Sequence, residues 1–216
     1  MAEPGERTTG LEAASAIVLS VAALASSWAS YQAGLWDGEQ AAHYSRANAM
    51  RIEASRIALE GDALAGVEVQ VFTAWLDAKA HRQEKLADFY EARFPPDMKP
   101  AFHHWLREDP LSDPSAPPTP FATDSYHRPG LAPSQALNGQ AEKTFQDGQY
   151  ANAVSDAFQQ GATMLAIALF FGGIGQVFQG RTARIGLLTV AGVALVAGLL
   201  RLFSLPVQIL GLHPPG

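Results

Sequence analysis

Three long stretches of this chain carry no charge. None lies between Glu12 and Asp37, none between Asp156 and Arg181, and none between Arg184 and Arg201. Each approaches or exceeds the roughly 20 residues a helix needs to cross a hydrocarbon core. With 17% charged residues against 48% hydrophobic ones, charge is sparse overall; soluble domains carry about 25%. What charge there is crowds between Asp37 and Asp156, where acids outnumber bases. The pattern predicts an all-α membrane protein with three transmembrane helices. A juxtamembrane helical bundle would be inserted between the first and second.

The predicted parts follow in order. A short N-terminal segment covers 1–12 and a first transmembrane helix covers 13–36. A water-facing helical domain covers 37–160, with a proline-rich loop at 109–133. A second span follows at 161–180, a basic hairpin at 181–184, a third span at 185–205 and a tail at 206–216. Glu3, Glu6 and Glu12 against Arg7 alone do not make the positive leader of a cleaved signal peptide, so the first apolar run reads as an uncleaved span.

Small residues dominate the first span. A stripe at alternating three and four spacing runs through Leu19, Ala22, Ser26, Ala29, Ala33 and Trp36, and on through His43, Ala47 and Ala54 to Ile57. A second stripe runs from Leu137 and Ala141 through Gly148, Ser155, Phe158, Ala162 and Leu165 to Gly172. Small side chains let helices approach closely in lipid. Ala22, Ser26, Ala29, Ala33, Ala162 and Gly172 are therefore the expected helix-packing positions. Both stripes cross from span to water-facing segment without a break, which predicts that both helices project beyond the membrane.

The first of them is expected to end near Gly61, because Glu60-Gly61-Asp62 reads as a turn. A separate amphipathic helix is then expected over 63–93, with Leu64, Val67, Val71, Trp75, Ala78, Leu86 and Phe89 on its apolar face. Phe94-Pro95-Pro96 stops it, and a short helix over 99–107 follows. Seven prolines between Pro110 and Pro133 exclude regular structure. Helix resumes near Ser134, a plausible N-cap.

Chemistry-bearing clusters are thin. His81 and Glu84 lie on a helical stripe with Asp77, Asp88 and Glu91, a donor set suited to a metal ion. The stripe lies opposite Trp75, however, and with Arg82 and Lys85 alongside it reads first as a solvated helix face. His103 and His104 are the other weak metal candidates, but neighbours on a helix point about 100° apart. Arg201 sits about one turn inside the end of the third span. It either snorkels to the interface or forms an intramembrane ion pair with Asp37 or Asp156. No Walker loop, dinucleotide fingerprint, zinc-protease motif or nucleophile elbow occurs, so no catalytic residue and no cofactor is expected. The acidic balance excludes nucleic acid as partner. There is no cysteine, hence no disulfide or thiol chemistry.

Trp28-Ala29-Ser30-Tyr31-Gln32-Ala33 with Trp36, and Leu169-Phe170-Phe171-Gly172-Gly173-Ile174 ahead of Arg181, resemble uncharacterised bacterial three-span membrane proteins of a domain-of-unknown-function type. That resemblance implies one N-terminal span, a helical insertion and a C-terminal hairpin of spans, with no catalytic residues. The proline-rich stretch departs from it.

Arg181 and Arg184 place the short hairpin in the cytoplasm by the positive-inside rule, although Arg46, Arg51 and Arg56 after the first span pull the other way. The helical domain is then expected outside a bacterial inner membrane. The expected partners are the lipid bilayer and either a second copy or another membrane protein. Three roles fit: a non-enzymatic envelope scaffold or interaction subunit, a sensor subunit whose helical domain binds a ligand, and a metal-dependent membrane enzyme.

Overall fold

The computed structural model describes residues 4–178 and 180–208, with side chains from Gly10 onward. The elements are α1 (Pro4–Ala80), α2 (Glu84–Ala92), α3 (Lys99–Leu106), a 3-10 turn (Pro120–Ala122), α4 (Leu131–Val177) and α5 (Arg181–Phe203). Among the described residues there is no strand. Helices α1, α4 and α5 are long and apolar enough to cross a membrane. The chain divides into two compact units. The apolar unit comprises residues 1–45 and 144–216, and the insert unit comprises residues 46–143.

In the apolar unit α1 packs on α4 through the two small-residue stripes. Ala22, Ala29 and Ala33 are completely buried, Ser26 is half-buried, and across from them Ala151, Ser155, Phe158, Ala162, Leu165 and Gly172 are buried. Small and large positions interlock. A methyl at Gly148 would strike the Tyr44 ring, and one at Gly172 would press on Leu19 at 3.0 Å. Helix α5 joins the same way: Gly161 receives Leu202, and Gly198 receives Leu165. The small residues at these contacts let the backbones approach closely, where dispersion contributes to helix association. Aromatic pairs add to the seam, with Trp28 edge-on to Phe158 at 5.7 Å and Tyr44 stacked on Phe145 at 4.9 Å.

The insert unit corrects the expected end of α1. Gly61 is not a turn: α1 runs through it to Ala80. A side chain at Gly61 would collide with the Pro129 carbonyl, and one at Gly130 would collide with the Ile57 carbonyl. The glycine is a site of close approach, worth the roughly 1 kcal/mol it costs a helix interior relative to alanine. The helix breaks later, at His81–Gln83, where Arg82 takes a left-handed φ of 57°. The single helix expected over 63–93 is therefore the end of α1 plus α2.

Of its expected apolar face, Trp75 and Ala78 are buried and Val71 is half-buried, while Leu64, Val67, Leu86 and Phe89 are exposed; Phe72 and Glu68 are buried instead. Phe72 and Trp75 join Phe94, Met98, Phe102 and Trp105 in one aromatic-rich core. Trp75 meets Phe102 edge-on at 4.9 Å, and Phe72 meets Trp105 at 5.3 Å.

The proline-rich stretch is an ordered cap running back along α1. The Trp105 indole donates to the Pro117 carbonyl at 2.6 Å. Phe121 then packs on Phe72, the Tyr126 hydroxyl reaches Glu68, Arg128 meets Asp62 at 2.8 Å, and Gly130 rests on Gly61. Helix α4 starts at Leu131, three residues before the expected cap. Pro133 falls in its first turn, where a missing N–H costs nothing, and Ser134 instead donates from Oγ to the Leu131 carbonyl. Residues 181–184, expected as a hairpin loop, are the first turn of α5. The connection is Phe178–Gly180, of which Gln179 lies outside the described residues, as do the first three residues and the tail from residue 209.

Replacing Gly61 by alanine forces the Pro129–Gly130 backbone off α1. Overpacking of this kind costs about 1–3 kcal/mol, so Gly61→Ala is expected to lower the unfolding midpoint of the insert unit, read by fluorescence of Trp75 and Trp105. An unchanged midpoint would show that the cap does not seat here.

Candidate functional site

The sequence-predicted metal residues do not converge. His81 stands in the break after α1, exposed, with Nδ1 3.3 Å from Asp77 Oδ1. Glu84 opens α2 and is taken by Lys79 at 2.7 Å. That hydrogen bond holds the Lys79 ammonium above its ordinary pKa. His103 is exposed, and His104 faces Glu108 at 3.2 Å. Among the described residues no three His, Asp or Glu side chains are grouped to hold a metal ion.

The ion pair weighed against snorkelling is not formed either. Arg201 is exposed in the last turn of α5, and among the described residues no ion pair joins it to Asp37 or Asp156. Asp156 accepts instead from Asn152 at 3.2 Å, and Asp37 is exposed. A cation in the last helical turn is favoured by the carbonyl end of the helix dipole, and its long stem can carry the charge outward.

The packing residues Ala22, Ser26, Ala29, Ala33, Ala162 and Gly172 are consumed inside the chain, by α1 against α4. They leave nothing for a partner. Helix α1 nevertheless has two further faces over the same length. One is bulky and exposed: Ile17, Val21, Leu24, Trp28 and Tyr31, with Ile17 at 64% and Leu24 at 74% exposure. The other is small and exposed: Ala16, Ser20, Ala23, Ser27, Ser30 and Gly34. Both run at alternating three and four spacing, about a third of a turn apart. The Ser27 hydroxyl is satisfied within the helix by the Ala23 carbonyl at 3.0 Å, and space beside Gly34 is open. One helix thus carries a small buried face, a small exposed face and a bulky exposed face. The second was present in the sequence as periodicity, but only burial separates it from the first.

In the insert unit, sequence reasoning missed Glu68. It is 2% exposed and accepts the Tyr126 hydroxyl proton at 2.8 Å. Burial, and then the bond to Glu68, raise the Tyr126 phenol well above the ordinary tyrosine pKa. No hydrophobic pattern can reveal such a pair, because the partner comes from the proline-rich cap.

No known family, curated protein or solved structure matches this chain.

Tyr126→Phe removes the one hydroxyl that, among the described residues, donates to the buried Glu68 side chain. The expected cost is about 1–3 kcal/mol, and adding Glu68→Met should recover part of it. Because the phenol pKa is raised on folding, the bond contributes fully below the ordinary tyrosine value of about 10, and its contribution declines from there and is lost as pH rises through the raised folded value. Chemical unfolding of the single and double variants checks this. Equal stabilities would remove the pair from the account.

Proposed function

We propose that this chain is a non-enzymatic integral membrane protein of three spans whose role is assembly. Two copies dock through the small exposed face of α1, and the insert unit is presented as a helical domain outside the bilayer. The observation that supports this reading is the segregation of Ala16, Ser20, Ala23, Ser27, Ser30 and Gly34 from Ile17, Val21, Leu24, Trp28 and Tyr31. Bulky side chains suit lipid contact. A stripe of small ones offers lipid little surface but lets another helix come close. The reading is compatible with the resemblance to three-span membrane proteins of unknown function.

A second reading is a sensor subunit. Its support is the continuity of α1 and α4, of 77 and 47 residues, each contributing to both units without a break. Rigid helices can carry a displacement.

The chain has no cysteine, so single cysteines report cleanly. Ala23→Cys in native membranes is expected to give an oxidised dimer, and Ser27→Leu in the same chain to reduce that dimer about tenfold or more. Ile17→Cys should give none. A monomer with Ala23→Cys, indifferent to Ser27→Leu, would refute assembly through this face.

Sidedness rests on Arg181 and Arg184 in the first turn of α5. The proposed orientation keeps them cytoplasmic and puts the insert unit outside the inner membrane. A membrane-impermeant thiol reagent on intact cells should label Ser112→Cys and leave Thr182→Cys unlabelled. The reverse pattern would place the insert unit in the cytoplasm.

A further inference from the structure

Gln32 is 2% exposed in the apolar unit, on a helix otherwise lined there by alanine and aromatic side chains. A buried amide in such surroundings needs partners for both ends. Both are supplied by one residue. Nε2 donates to the Gln208 carbonyl at 2.9 Å, and the Gln208 N–H donates to Oε1 at 2.9 Å. The side-chain amide therefore treats Gln208 as a β-strand neighbour would, reading the backbone and not the side chain.

Among the described residues, the segment it holds has few other attachments. After α5 ends at Phe203, Ser204 turns back on the Arg201 carbonyl and Leu205 packs on the cluster of Ala29, Ala33, Phe158 and Leu202. Pro206 cannot continue the helix. Phe203 is 83% exposed and Val207 is also exposed. Among the described residues, Leu205 and the Gln208 peptide are the points of purchase. Segments with few buried contacts open locally, well before the structure around them.

We propose that Gln32 is a peptide-backbone recognition site, filled here by the chain's own Ser204–Gln208 segment acting as a latch that opens independently of the three helices. Closed, the latch covers the Leu202 end of the cluster. Open, it frees one donor and one acceptor set for a single residue's N–H and C=O. The ligand class is thus an extended backbone that carries an apolar side chain three residues before the paired peptide, the place Leu205 fills on the cluster. The inference is independent of α1 pairing, because Gln32 is buried and lies off the small exposed face.

The test is amide hydrogen exchange of the full chain in lipid nanodiscs, comparing wild type with Gln32→Leu and Gln32→Glu. In wild type the Gln208 amide is expected to be protected, yet to exchange faster than the Leu165 amide in the core. In Gln32→Leu it should speed up about tenfold or more, the size of one lost hydrogen bond, with Leu165 unchanged. Gln32→Glu keeps an acceptor for the Gln208 N–H and should fall between. Three results would overturn the proposal. Gln208 could already exchange at the free-peptide rate, it could exchange only together with Leu165, or it could keep its rate in Gln32→Leu.

Discussion

Close approach of the α1 and α4 backbones is the constraint on which the apolar unit depends. Alanine, serine and glycine at every third or fourth position bring the two helices near enough for dispersion between them to act. Everything else in that unit is arranged around the resulting seam. Tyr44 fits over Gly148, Leu19 over Gly172, and the Gly161–Leu202 and Gly198–Leu165 contacts seat α5 by the same device. The Ser155 hydroxyl adds a buried bond to the Ala33 carbonyl at 3.1 Å, a bond open only to a small side chain at that depth.

The insert unit rests on different physics. Its core is a cluster of large aromatic rings, the kind of burial that water drives. The proline-rich cap is held to α1 by polar contacts as much as by apolar ones: Tyr126 to Glu68, Arg128 to Asp62, and the glycine pair at Gly61 and Gly130. A chain with so many prolines loses less conformational freedom on folding than an ordinary loop of the same length, which helps an irregular segment stay in one conformation.

The two units share one habit. Each holds an irregular segment against α1 by a buried polar side chain of α1 itself, Glu68 for the cap and Gln32 for the C-terminal strap. Buried polar groups must be satisfied, so such a residue selects a single register for the segment it holds. Apolar packing alone would tolerate slippage.

The sequence by itself determined the helical class, the three membrane-length helices, the proline-rich irregular stretch and the small-residue stripes. These are periodic or compositional properties, and periodicity follows from local backbone geometry. Tertiary structure alone decided what pattern cannot carry. Gly61 looks identical in a turn and in a tight helix contact, and only Pro129 lying against it tells which. Glu68 reads as a solvent residue until Tyr126 arrives from the cap. The face of α1 that is buried and the small face left open have the same spacing and the same residue types. They differ only in what packs against them, and that is fixed by contacts between segments more than a hundred residues apart, such as Ser155 with Ala33 across 122 positions.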